Sequence, residues 1–278
     1  MEKFTVENHE ASLLPEGKKW SLVWQDEFDG DALDETKWSF RLHLLQQRHE
    51  TFTTEGVVLD GESNLKLYLT EKDGQYYSPH LQTGENFMDR PGEGFAENRS
   101  NECKKFIWPI AKRAEPKFLH KYGYYEIRCK LQEQPGWWSA FWLQSPIIGA
   151  TSSPEFSGIE VDIMENFSRD GEVTSGNIYG GYGSDIKGVG RIRYKVEKTQ
   201  DGFHHFGLLW SPDGYTFYAD GKETLHLEGP VSHTEQFILV STECGGYRKG
   251  NAPSEELKTA VLPDCFTVDF VRVFDEVK

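Results

Sequence analysis

The sequence predicts an all-β protein, a sandwich or jelly roll. Three observations carry that expectation. Apolar residues recur at every second position in segment after segment, the spacing that puts one face of a strand against a core. Glycine-containing turns separate these segments at short intervals. Convincing stretches with helical periodicity are absent; a short helical turn near residues 252–257 is the one exception expected.

Taken in chain order, residues 63–72 alternate with Leu65, Leu67 and Leu69 on one face. Residues 73–100 are polar and glycine-rich and read as a long rim loop, the kind of segment that carries function on a rigid scaffold. Residues 124–132 place Tyr125, Ile127, Cys129 and Leu131 on one face and Glu126, Arg128, Lys130 and Gln132 on the other. Residues 206–227 read as strand, turn, strand, turn, strand, with Pro212-Asp213-Gly214 and Asp220-Gly221 as the turns. Residues 266–274 form a last strand. There is no internal repeat and no long linker, so 1–278 is expected to be one domain, with 1–17 as an N-terminal extension.

Composition bounds the partners. The chain has 30 basic and 45 acidic residues, a formal charge of −15, the wrong sign for a nucleic-acid backbone. No apolar run reaches the roughly 18–20 residues of a membrane span, and the first residues lack the basic-then-apolar order of a secretion signal. Aromatics make up 14% of the chain, which suits a β core and also supplies flat platforms for sugar rings. Cys103, Cys129, Cys244 and Cys265 match no zinc spacing; reduced thiols are the default, with two disulfides left open.

The segment 157–167 poses a problem. Glu160, Asp162 and Glu165 interrupt an apolar run, and carboxylates are costly to bury. In a regular strand Glu160 and Asp162 share a face and Glu165 faces away. A β-bulge at Ile163 or Met164 would return Glu165 to the shared face, so that all three acids line the floor of a groove. Like charges in such a row raise one another's pKa, and one acid is expected to hold a proton. A protonated acid beside an ionised carboxylate is the requirement of retaining glycoside hydrolysis, with the two roughly 5–5.5 Å apart. A solvated strand face or a calcium site would also use acids. The neighbouring Trp138 and Trp142, four apart and so on one strand face, favour a sugar groove; at least one of Trp137, Trp138 and Trp142 is expected in the core.

With these motifs in place, the chain resembles glycoside hydrolase family 16 over about residues 18–276. The similarity lies in residues 20–38, in Asn101-Glu102, in 122–144, in the E-V-D-I-M-E segment at 160–165, and in the closing strands at 203–222 and 266–274. The resemblance implies a concanavalin A-like β-jelly roll with a concave substrate cleft. It implies Glu160 as nucleophile, Asp162 as supporting acid and Glu165 as acid/base, with Trp138, Trp142, Asn101 and Glu102 near sugar subsites. No cofactor is implied for catalysis. A structural calcium on the convex face is, with Glu27 and Asp269 as candidate ligands.

The chain departs from the family pattern at Ile178 and Tyr179, where a His is frequent, and at Glu243, where a small apolar residue is usual. Tyr179 and Glu243 are therefore candidate substrate-binding residues. Arg99, Lys104, Lys105 and Arg248 are candidates for an anion site on a sulfated glycan. His120, His204 and His205 read as structural or rim residues. The expected activity is a retaining endo-β-glycosidase on a β-1,3 or mixed-linkage glucan. An agarase-, porphyranase- or carrageenase-like galactanase, a transglycosylase and an inactive sugar-binding protein remain open. The expected partner is a polysaccharide or oligosaccharide, and the expected state a monomer. A polymer substrate points to an extracellular or periplasmic protein, and the missing signal pattern to a cytoplasmic one.

Overall fold

The computed structural model describes residues 1–86, 89, 113–151, 153–167, 170–182 and 186–277. Half of them lie in strands, nearly all antiparallel, and the long strands form two curved layers. The inner layer runs, in spatial order, through strands Lys187–Lys195, Glu172–Tyr179, Glu160–Asn166, Trp137–Gln144, Phe237–Cys244 and Gln75–Gln82. The outer layer runs through Leu65–Lys72, Asp264–Val277, Gly123–Lys130, His204–Ser211, Gly214–Ala219 and Lys222–Leu227, with Lys19–Asp26 also paired to Asp264–Val277. Among the described residues, helix is confined to short turns such as Pro154–Ser157, Tyr247–Gly250 and the 3-10 turn Leu257–Thr259, the last adjoining the expected position.

Period-two patterning explains which side chains meet between the layers. The inner layer sends in Phe141, Leu143, Val161, Ile163, Met164, Ile238 and Val240; the outer layer sends in Leu65, Leu67, Tyr125, Ile127, Cys129, Phe206, Leu208 and Val271. Burial of such side chains is the main stabilising term. The alternate residues of the inner layer face the other way, over the cleft.

The polar stretch at 73–100 is not all loop. Gln75–Gln82 is a strand, and a buried one. Its start pairs with Leu65–Lys72 through the tight turn at Asp73-Gly74, and its end pairs with Phe237–Cys244. It therefore stitches the two layers together. Pro79 sits between the two sets of pairings, where a missing N–H is tolerated. Burial on both faces of a polar sequence hid this strand from periodicity. Asp89 is described; most of the remainder of that stretch, including Arg99, lies outside the described residues, as do Asn101, Glu102, Cys103, Lys104 and Lys105. Among the described residues, Cys129, Cys244 and Cys265 are free thiols.

The N-terminal extension is folded. Glu2–Phe4 and Ser12–Leu14 form a small hairpin. Met1, Phe4 and Leu14 pack on Tyr124 and Phe274 of the outer layer. This hairpin also covers Glu126, which is fully buried and accepts the backbone N–H of Leu13 and a contact from His205.

The two calcium candidates have other partners. Both oxygens of Glu27 accept from the buried Arg272, at 2.8 and 2.7 Å, and Arg272 also donates to the Glu10 carbonyl and Ser12 hydroxyl. Asp269 accepts from Arg128 at 2.5 Å. Carboxylates already neutralised by guanidinium groups do not fit a cation, and among the described residues no group of three or more acidic, His or Cys side chains converges on a metal position.

Removing one partner of the buried pair strands a charge, at a cost of about 3–5 kcal/mol. Arg272→Met should therefore destabilise strongly in urea unfolding, whereas Glu27→Gln combined with Arg272→Met should recover a large part of the loss.

Candidate functional site

A cleft of about 870 Å³ opens over the inner layer. It is lined by the alternate residues of each strand: Trp138, Ala140, Trp142 and Gln144 from one, Ser241 and Glu243 from the next, and Glu160, Asp162 and Glu165 from the carboxylate strand. A bulge brings the three acids to one face. Against Trp137–Gln144, Phe141 pairs with Met164 and Trp142 with Asp162, leaving Ile163 as the extra residue. Against Glu172–Tyr179 the register slips at the same place, between Asp162 and Glu165. Ile163 and Met164 both point into the core, so the strand keeps its apolar anchor while its acids face the cleft. The chain enters this strand through Gly158 at φ +73°, where a Cβ would stand 2.3 Å from that of Ser145; a side chain there is excluded by both backbone and space.

Burial sets the electrostatics. It pushes all three carboxyls above their ordinary range because the charged form loses water. Asp162 is raised well above, by burial and then by the charges of Glu165 and Glu160. Glu165 is pushed up to about 7 by burial and then by Glu160, with Arg191 and Arg248 opposing. Glu160 is raised by burial, but a hydrogen bond from Tyr182 opposes it, followed by Arg41, Arg248 and Gln144. The arrangement can hold a proton on Glu165 near neutrality beside a carboxylate with its own donors.

The indoles divide as their strand positions dictate. Trp137 points to the far side and packs with Leu69, Cys244, Tyr247 and Leu257. Trp142 donates its Nε1–H to Ser241 Oγ at 2.9 Å. The guanidinium of Arg41 lies 5.3 Å from the Trp142 ring centre, and that of Arg248 5.5 Å from the Trp138 ring centre. Glu243 lines the cleft and is gripped by Arg248 through two hydrogen bonds of 2.5 and 2.6 Å. Tyr179 packs against the core instead, and its neighbour Ile178 takes the cleft position. His120, His204 and His205 are engaged by Asp275, Asp220 and Glu126 and are not among the cleft-lining residues.

Sequence reasoning passed over several cleft residues. Gln144 continues the even-numbered face of Trp138 and Trp142, so period two could have found it. Arg191 is an edge-strand residue 3.4 Å from Glu165. Tyr182, Arg41 and His80 reach the cleft from turns or distant strands, and nothing in the linear pattern marks them. The hairpin of His43–Leu44 and Gln47–Arg48 also walls the cleft, with Leu45 at its tip.

Sequence and fold both have counterparts among known proteins. Residues 47–238, more than half of the chain, match the sequence model of Glycosyl hydrolases family 16. The chain is 24% identical over 276 residues to glucan endo-1,3-beta-glucosidase A1 of Niallia circulans, covering 92% of this chain and 38% of that protein. It is 26% identical over 275 residues to a glucan endo-1,3-beta-glucosidase of Cryptopygus antarcticus, covering 91% of each. In fold it is similar to the catalytic domain of an endo-1,3-beta-glucanase (laminarinase) from Thermotoga petrophila RKU-1, with a TM-score of 0.66 at 22% identity, covering 94% of this chain and 100% of that one.

A carbon-detected NMR titration of labelled glutamate side chains should find one carboxyl, that of Glu165, with a midpoint near 7. Glu160→Gln removes a negative neighbour and should move that midpoint down; an unmoved midpoint would contradict the coupling between the two.

Proposed function

The chain belongs to glycosyl hydrolases family 16, and from that premise we propose that it is a retaining endo-β-glucanase cleaving β-1,3 or mixed-linkage glucan. One observation carries the reading: a bulged strand sets Glu160, Asp162 and Glu165 on the floor of a cleft walled by Trp138 and Trp142. Two curated relatives that align with more than nine-tenths of this chain are named glucan endo-1,3-beta-glucosidases, which supports the choice of substrate.

The steps follow from the charges. Ionised Glu160 attacks the anomeric carbon, and the glycosidic C–O bond breaks with its electron pair on the leaving oxygen. Glu165 gives that oxygen its proton. Water then attacks the same carbon while Glu165, now a base, takes a proton from it, and the ester bond to Glu160 breaks. Burial keeps Glu165 protonated up to about 7, the condition for the first step at near-neutral pH. Asp162, raised further, supports the nucleophile as a neutral donor on the same strand face.

A second reading has its own observation. A guanidinium stands over each of the two indole rings; each already has a carboxylate partner, Asp89 or Glu243, and an acidic galactan that competed for them would be favoured over a neutral chain. Under either reading a polymer is met outside the cytoplasm, and one chain carries a whole cleft, so a monomer suffices.

The test is release of new reducing ends from laminarin, lichenan, agarose, porphyran and carrageenan. Release from laminarin or lichenan, abolished by Glu160→Gln, is the expected result; release from a galactan alone would replace the first reading by the second. Glu165→Gln should cost roughly 10²–10⁴-fold on unactivated substrate. The pH profile of kcat/KM should be bell-shaped, rising as Glu160 ionises and falling as Glu165 loses its proton around 7.

A further inference from the structure

Glu160 does not stand alone in the cleft. Its Oε2 atom accepts a hydrogen bond from the Tyr182 hydroxyl and a longer one, 3.4 Å, from Gln144 Nε2. The same Gln144 nitrogen also donates to the Tyr182 oxygen. With that lone pair filled, the phenol proton is directed at Glu160. The Gln144 amide is also held from behind: its Oε1 accepts from Asn86 Nδ2, with its nitrogen facing Tyr182 and Glu160. Asn86 is fixed in turn by its backbone N–H donating to Asp89 Oδ2 at 2.9 Å, and Asp89 Oδ1 accepts from Arg41 Nε at 2.6 Å. Arg41, Asp89, Asn86 and Gln144 are all buried. The series of buried contacts runs from an ion pair to the carboxylate and holds Gln144 in place behind it.

We propose that Tyr182 and Gln144 form a positioning clamp on Glu160, which ties down Oε2 and reserves Oε1 for attack on the sugar. This rests on Glu160 being the nucleophile. Two donors on one oxygen favour the charged carboxylate, offsetting the burial that would otherwise protonate it. Burial and the Glu160 charge hold the Tyr182 hydroxyl well above its ordinary range, so it remains a donor at any working pH. In the covalent intermediate Oε2 becomes the ester carbonyl oxygen. When water attacks and the ester C–O bond breaks, the electron pair returns to the Glu160 carboxylate, and the clamp is already in place to receive the charge. Both steps therefore draw on the same two donors.

Tyr182→Phe removes one donor and keeps the ring; Gln144→Met removes the other at similar volume. Each should cut kcat/KM by roughly 10–100-fold, the loss expected for a hydrogen bond to a charged group. A lost packing contact would do no more than lower stability or raise KM. A lost donor must also move the acid limb of the pH profile upward, together with the Glu160 midpoint in the carboxyl NMR titration, and the double variant should shift both less than additively. The titration needs no substrate, so it is informative whichever polysaccharide is cleaved. If melting temperatures stay near wild type and neither the limb nor the midpoint moves in either variant, the clamp is wrong. Should Tyr182→Phe fold poorly, Gln144→Met gives the same reading with the phenol retained. If wild type is active and Glu160→Gln leaves that activity intact, it is the nucleophile assignment that fails instead.

Discussion

One inserted residue governs this site. Without the bulge at Ile163, the strand's own pleat would turn Glu165 into the hydrophobic core, where a carboxylate without partners is among the costliest groups to place. With it, the acids share a face and the core keeps both Ile163 and Met164. The extra residue costs a little ladder pairing. In exchange the sheet carries three carboxyls side by side; burial, reinforced by their mutual repulsion, favours a proton on Asp162 and on Glu165, while the donors around Glu160 favour its charged form.

The rest of the cleft manages that concentration of charge. Arg191 faces Glu165, Arg248 is spent largely on Glu243, and Arg41 is spent on Asp89 while remaining near enough to act on Glu160. Among the described residues, positive charge thus surrounds the acids without any guanidinium pairing directly with Glu160, which keeps neutral donors instead. A tight ion pair there would blunt the nucleophile.

The layered fold, the direction of the alternate side chains and the three acids could be read from the chain because each depends on neighbours one to five positions apart. Period two puts Phe141 and Leu143 inward and Trp138 and Trp142 outward; the same rule, extended by one step, reaches Gln144. Tyr179 shows the limit: a shift of one residue decides between cleft and core, and Ile178 takes the cleft. Glu27 and Asp269 show another, since nothing in the linear order brings Arg272 and Arg128 to them. Glu126 reads as a solvated strand residue and is buried because a distant segment, the N-terminal hairpin, lies on it. The clamp combines residues from 41 to 182, so it exists only once the layers are assembled.

The strand Asp264–Val277 bears on how the molecule comes to be folded. It pairs with Lys19–Asp26, Leu65–Lys72 and Gly123–Lys130, and its Arg272 holds Glu10 and Ser12 of the N-terminal hairpin. On a ribosome the outer layer has no centre until this segment emerges. Its three partner strands must wait with unpaired edges, in a chain whose contacts span almost its whole length. Such a topology is dominated by contacts between distant segments and folds slowly, with its outer layer completed only once this strand is available.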